Sequence, residues 1–214
     1  MKTIGVLDLQ GGVAEHLDHF ARLGAPARRV KQAADFHDLA GLVIPGGEST
    51  CLMRLMRILG TDEAILAAHR GGAKLWGTCA GAILLASRVV GEDPKLGLMD
   101  IEIERNAFGS QLDSFACTAV IPCVADEEIP LTFIRAPKIL RAGPGVTILH
   151  RQAGAIAMAE TADVLVTTFH PELTPCLAFH RYFARKCGLQ PPEPRAGTDP
   201  SWSRASWTRQ APIT

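Results

Sequence analysis

Three residues whose types together perform acyl transfer stand at two places in this 214-residue chain. The first is Cys79, within Gly77-Thr78-Cys79-Ala80-Gly81, where a short apolar run ends and an Ala/Leu-rich segment of helical composition continues through about residue 90. Small residues around a nucleophile at a strand-to-helix junction let the backbone turn sharply enough to lift one side chain above the sheet edge. The positive end of a helix beside a cysteine favours the thiolate, the form that attacks. At the second place is His170, closing the run Val164-Leu165-Val166-Thr167-Thr168-Phe169, with Glu172 two residues on. An imidazole can take the thiol proton and later return it to a leaving group, while a neighbouring carboxylate fixes its tautomer and stabilises the imidazolium. In an extended backbone, residues two apart point to the same side, a geometry that Pro171 between them would help hold. Each half also has a plainer reading: Cys79 as one more small buried residue, and His170 as a strand-end histidine with an accidental neighbour. Together, Cys79, His170 and Glu172 form a set of nucleophile, base and orienter that is much harder to dismiss.

For those side chains to meet, strands must deliver them to one edge. Residues 3–7, 42–45 and 164–169 are short apolar runs suited to buried strands of a parallel sheet, and residues 27–30 read as a further short strand. Residues 13–23 carry Val13, Leu17, Phe20 and Ala21 on one helical face, residues 34–39 read as a short helical turn, and helices follow near 49–59 and 62–69. His16 and His19 lie three apart on the first helix, a spacing compatible with a metal, but with no third ligand in view they read as part of a solvated face. Gly46-Gly47-Glu48-Ser49-Thr50 follows a strand; its glycines allow backbone amides to face an oxyanion, and Ser49 or Thr50 would cap the next helix. Residues 97–105 and 114–120 alternate apolar and polar positions, as antiparallel strands with one wet face do, with a polar loop between them. Residues 131–137 read as a strand closing on a turn, and residues 146–159 as a hairpin around Gly154. Arg105 and Arg135 could each hold a carboxylate with the planar guanidinium fork, or sit on the surface holding nothing in particular.

Composition narrows the classes. With 47% hydrophobic and 21% charged residues the chain can bury a full core as one domain. Its 22 basic and 22 acidic residues cancel, so no basic field favours nucleic acid. No apolar run is long enough for a secretory signal or a membrane span, which points to the cytoplasm. Six cysteines without a Cys-x-x-Cys pair argue against a zinc site or a disulfide scaffold. The expected architecture is a single three-layer α/β domain over residues 1–189. Its central sheet is mostly parallel with helices on both faces, and a small antiparallel portion spans about 98–160. Residues 190–214, rich in Pro, Ser, Thr and Arg, read as a disordered extension.

Taken together, these motifs resemble the class I, or triad, glutamine amidotransferases. More narrowly, the chain resembles the glutaminase subunits of pyridoxal 5'-phosphate synthase. The resemblance rests on Leu9-Gln10-Gly11 with Val13-Ala14-Glu15-His16, on Pro45-Gly46-Gly47-Glu48-Ser49-Thr50, on Arg105-Asn106-Ala107-Phe108-Gly109 with Asp113-Ser114-Phe115, and on Phe133-Ile134-Arg135-Ala136-Pro137. It covers about residues 3–187. It implies that Cys79 attacks the side-chain amide of L-glutamine, that His170 shuttles the proton, that Glu172 orients His170, and that a thioester on Cys79 is hydrolysed to glutamate. It further implies an oxyanion hole from the amides of Gly47 and Ala80, and glutamine contacts from Gly46, Gly47, Glu48, Arg105, Ile134 and Arg135. Gln10 falls where the family couples docking of a barrel-shaped synthase subunit to oxyanion-hole formation. In that hetero-oligomeric complex ammonia passes to the synthase, which joins it to a pentose phosphate and a triose phosphate. The glutaminase itself needs no cofactor and no metal. The alternatives are a glutaminase of the imidazole glycerol phosphate synthase type, against which the Arg105 and Phe133 blocks argue, and a catalytically idle regulatory subunit. Asp8 stands where the family has a small apolar residue, and a carboxylate there is costly to bury unless paired. Ala82 and Cys51-Leu52-Met53 also depart from the family, away from the chemistry, and the extension beyond about 189 has no counterpart expected in it.

Overall fold

The computed structural model describes residues 2–105 and 114–191; residue 1, residues 106–113, where the sequence reading expects a polar loop, and residues from 192 onward lie outside the described residues. In chain order the elements are β1 (Thr3–Leu7), α1 (Val13–Arg22), β2 (Ala27–Val30), a 3-10 turn (Ala33–Phe36), β3 (Leu39–Ile44), α2 (Ser49–Leu59), α3 (Thr61–Arg70), β4 (Lys74–Thr78) and α4 (Ala80–Leu85). There follow β5 (Ala86–Val89), β6 (Met99–Glu104), β7 (Phe115–Ile121), β8 (Ala125–Phe133), β9 (Lys138–Ala142), β10 (Thr147–Gln152), β11 (Ala155–Glu160), β12 (Val164–Thr167), a second 3-10 turn (Pro171–Leu173) and α5 (Ala178–Lys186).

Among the described residues the main sheet runs β2-β1-β3-β4-β12-β11-β9-β6-β5, with β10 paired to β11, and β7-β8 forms a separate antiparallel ribbon. The half from β2 to β12 is parallel throughout. The pairs β12-β11, β11-β9 and β9-β6 are antiparallel. The expected α/β class and antiparallel portion are both present. The parallel strands read as continuous apolar runs because both faces are covered. Val43, Trp76 and Leu165 join one core with Phe20 of α1 and Phe179 and Phe183 of α5. Leu42, Ile44, Leu75, Val164 and Val166 join the other with Leu52 and Met56 of α2, Ile65 of α3 and Leu84 of α4. The strict alternation along each strand is the pleat distributing one hydrophobic run between two helical layers.

The segment after Cys79 departs from expectation: the helix stops at Leu85, and Ala86–Val89 is a strand parallel to β6 rather than more helix. Ala86 and Val89 are buried there while Ser87 and Arg88 are not, and tertiary pairing at the sheet edge outweighs a weak helical preference. Asp8 is not buried; it stands about a third exposed, with Oδ2 3.1 Å from Arg29 of β2. Among the described residues no helix is long and apolar enough to cross a membrane.

Candidate active site

The strand order decides the site, because β3, β4 and β12 are neighbours and their C-terminal ends carry Gly46-Gly47, Cys79 and the approach to His170. Cys79 sits between β4 and α4 at φ +48, a conformation in which a non-glycine side chain is strained. The turn is held from two directions: the Cys79 N–H donates to the Thr167 carbonyl of β12 at 2.8 Å, and Ala82 N–H donates to the Cys79 carbonyl at 3.0 Å. Its flanking glycines are required by contact. A Cβ on Gly81 would stand 2.0 Å from the Ile44 carbonyl oxygen, and one on Gly77 would stand 2.5 Å from the Gly81 backbone. The β7-β8 ribbon contributes as well, since Thr132 O accepts the His170 N–H at 2.8 Å and the Ile134 carbonyl lies 4.0 Å from Cys79 Sγ.

Cys79 and His170 line the same cavity, and His170 Nδ1 lies 2.8 Å from Glu172 Oε1. The pair is not joined through an extended backbone. Pro171 opens a 3-10 turn, so Glu172 curls back beneath the imidazole. Glu172 is 1% exposed, and burial alone would raise its pKa; the facing His170 and His16 outweigh that and hold it down at about 2. Burial likewise works to lower the His170 pKa, but the Glu172 charge and the Cys79 contact drive it well above the ordinary histidine value. A carboxylate kept ionised beside an imidazole that favours its protonated form is the electrostatic arrangement of a triad base that must both accept and deliver a proton.

In front of Cys79 opens a cavity of about 270 Å³ lined by Gly47, Glu48, Ala80, Arg105, Ile134, Arg135 and His170, together with Ser49, Ile83 and Pro137, to which the sequence reading gives no place in the site. Gly46 is not among the lining residues; it packs against the site histidine, where a Cβ would meet His170 Cε1 at 2.6 Å. Arg105 Nη2 pairs with Glu48 Oε1 at 2.8 Å, and its Nη1 reaches Thr50 Oγ1 at 3.1 Å and the Glu92 carboxylate. Arg135 stands at φ +45 beside Ile134, a second strained backbone at the cavity mouth.

The family model for the SNO glutamine amidotransferases matches residues 6–189. The chain belongs to the SNO glutamine amidotransferase family. It is 57% identical over 212 residues to the pyridoxal 5'-phosphate synthase subunit PdxT of Syntrophus aciditrophicus (strain SB), covering 98% of this chain and 95% of that protein. To the PdxT of Pelotomaculum thermopropionicum it is 45% identical, over 86% of this chain and 94% of the relative. Among solved structures, a glutamine amidotransferase superposes with a TM-score of 0.81 at 39% identity, over 87% of this chain and all of that one. The match to the Syntrophus relative runs into the extension beyond 189, so that segment does have a counterpart within the family, contrary to expectation.

This glutamine amidotransferase also shows contacts that the sequence left unread. Glu48, not Ser49 or Thr50, caps α2, its carboxylate accepting from Thr50 N at 3.0 Å and Cys51 N at 2.6 Å. Gln10 folds onto Gly47: its Oε1 accepts the Glu48 N–H at 3.0 Å and its Nε2 lies 3.6 Å from Cys51 Sγ, so Cys51 touches the machinery after all. His16 and His19 are fully buried rather than on a wet face. The signal was present, since His16 falls between Val13 and Phe20 on the apolar stripe of α1. Helix α5, which supplies their partner His180, was not foreseen at all.

Proposed function

We propose that Cys79, His170 and Glu172 carry out glutamine hydrolysis in this amidotransferase and that the ammonia passes to a pyridoxal 5'-phosphate synthase subunit. Glutamine enters the cavity in front of Cys79, where Arg105 and Arg135 supply positive charge for its α-carboxylate, and Glu48 and the Ile134 carbonyl accept from its ammonium. With the thiol proton already resting on His170, the Cys79 thiolate attacks the side-chain amide. Negative charge developing on the amide oxygen is met by the N–H groups of Gly47 and Ala80. His170 then protonates the departing amine, releasing ammonia and leaving a glutamyl thioester on Cys79. Water, deprotonated by the same imidazole, opens the thioester to give glutamate and the free thiol. Glu172 stays ionised throughout and keeps His170 in the tautomer whose Nε2 faces sulfur.

The observation that carries this reading is Cys79 at φ +48 above β4, sharing one cavity with an imidazole whose Nδ1 is held at 2.8 Å by a buried carboxylate. The relatives' names supply the destination of the ammonia, and Gln10, packed on Gly47 at the end of β1, offers the partner a handle on the oxyanion hole. The test is glutamate formation from glutamine by the chain alone and mixed with a pyridoxal 5'-phosphate synthase subunit, with Cys79→Ala as control. Activity that rises with the synthase and is lost in Cys79→Ala is the expected result. Activity indifferent to the synthase overturns the pathway assignment, and activity surviving in Cys79→Ala overturns the triad.

A further inference from the structure

Behind the triad lie buried histidines for which the reaction just described has no use. Glu172 gives one oxygen, Oε1, to His170; the other, Oε2, faces His16 Nε2 at 3.6 Å. Neither Oε2 nor His16 Nε2 has a hydrogen-bond partner among the described residues. On its other side, His16 Nδ1 lies 2.8 Å from His180 Nε2, and His180 Nδ1 is likewise unpartnered. His16 and His180 are both fully buried.

Only one arrangement of protons suits these neighbours. Each neutral ring carries a single N–H. Were the His16 proton on Nδ1, its Nε2 lone pair would confront the Glu172 carboxylate. With the proton on Nε2, it points at Oε2, and Nδ1 is free to accept the His180 Nε2–H. His180 Nδ1 is then a bare lone pair, a smaller desolvation cost than a buried unpaired N–H beside other histidines. His180 donates to His16, and the His16 N–H dipole is then directed toward Glu172 Oε2 across 3.6 Å.

We propose that His16 is a positioning residue of the glutaminase site: its Nε2–H, set in that tautomer by His180, steadies the free oxygen of Glu172 and so keeps the other aimed at His170. The proposal rests on the triad reading above. Helix α1 holds Glu172 at two points, because Gly12, the residue preceding the helix, packs so closely that a Cβ there would stand 2.7 Å from Glu172 Cγ, and His16 lies one turn further on. The His16 ring is itself fixed by the edge of Trp76, centroid to centroid 5.5 Å. The groups facing His16 are Glu172 and His170 from the end of β12, His180 of α5, and His19 of its own helix. Burial lowers the His16 pKa to about 4, with His19 and His170 adding to the effect and Glu172 opposing it. His16 therefore acts as a neutral dipole and leaves Glu172 as the one full charge behind His170.

The experiment uses the full chain with its synthase subunit and compares His16→Phe, which keeps an aromatic ring but no donor, with His16→Gln, whose amide places an N–H near the Nε2 position. His16→Phe is expected to lower kcat for glutamate formation by roughly 10- to 100-fold with KM unchanged, and His16→Gln to recover most of it. In wild-type protein carrying 15N-histidine, His16 is expected to show its proton on Nε2 at neutral pH, a readout that needs no variant to fold. A proton on Nδ1, a folded His16→Phe with wild-type kcat, or a folded His16→Gln as slow as His16→Phe overturns the proposal. With Cys79→Ala measured alongside, a dead cysteine variant beside a fully active His16→Phe rejects the His16 role alone, whereas an active cysteine variant rejects the triad beneath it.

Discussion

Glu172 is the side chain at which the local electrostatics converge, since it is fully buried, faces two histidines and is ionised down to about pH 2. Replacing it with glutamine keeps the shape and removes the charge that stabilises the imidazolium, so Glu172→Gln is expected to lower kcat by about 10³- to 10⁴-fold while the fold persists. Steady-state glutamate release alongside circular dichroism separates the two effects. The buried histidines make a stability prediction of definite sign. The folded-state pKa of His16 is depressed from 6.5 to about 4, and His180 is depressed as well, so the unfolded chain takes up protons that the folded one refuses. The contribution of these two histidines is full above pH 6.5 and falls as pH drops toward 4, by on the order of 3 kcal/mol for His16 alone. His170, with its raised pKa, acts in the opposite sense: its contribution is present below 6.5 and is lost as pH rises through its folded value. Urea melts between neutral and mildly acidic pH should show the decline, and His16→Phe should flatten it.

At the scale of elements, the turns around the site tolerate little. Gly81→Ala would drive a methyl group into the Ile44 carbonyl, and because that neighbour is backbone, α4 must move off β3. The expected cost is roughly 1–3 kcal/mol, with activity falling further than stability because Cys79 rides on the same turn; thermal melts and kcat together check this. Helix α2 depends on Glu48, whose carboxylate both caps it and receives Arg105. Glu48→Ala should cost about 1 kcal/mol and raise KM for glutamine by freeing Arg105; Glu48→Gln, which still offers a cap acceptor, should recover the stability more than the KM. The sequence placed this cap one or two residues late because Ser and Thr are the stronger generic signals. What decides it is the reach of the longer side chain over the first turn, fixed by Arg105 arriving from β6. Likewise α4 was read too long because an Ala/Leu-rich stretch scores as helix wherever it lies, while pairing of Ala86–Val89 with β6 depends on a strand that comes later in the chain.

For the molecule as a whole, the family match ends at residue 189, where Leu189 N–H closes onto the Ala184 carbonyl at 3.0 Å and its side chain packs on the core beside α5. We therefore expect a chain ending at 191 to keep the thermal midpoint of the full chain and the glutaminase stimulation by a synthase subunit proposed above. A loss of stimulation with unchanged stability would assign the extension to partner contact. Gln10 tests the proposed coupling to a synthase subunit: Gln10→Ala should keep the fold, yet respond less to that subunit, since it removes the acceptor for the Glu48 N–H beside Gly47.

The local chemistry was determined by sequence alone: a cysteine between glycines at a strand-to-helix junction, a His-Pro-Glu at the end of another strand, and the apolar runs that make those strands. Such features are written in short windows, where backbone sterics and side-chain period leave few choices. Tertiary structure decided what distant windows do to one another. It set β3, β4 and β12 side by side, brought Thr132 and Ile134 of a separate ribbon against His170 and Cys79, and folded α5 over α1 so that three histidines are sealed behind Glu172. Helical period shows that His16 shares a face with Val13 and Phe20, but not which element covers that face. A polar ring there is wet or buried according to a helix that begins more than 150 residues away in the chain.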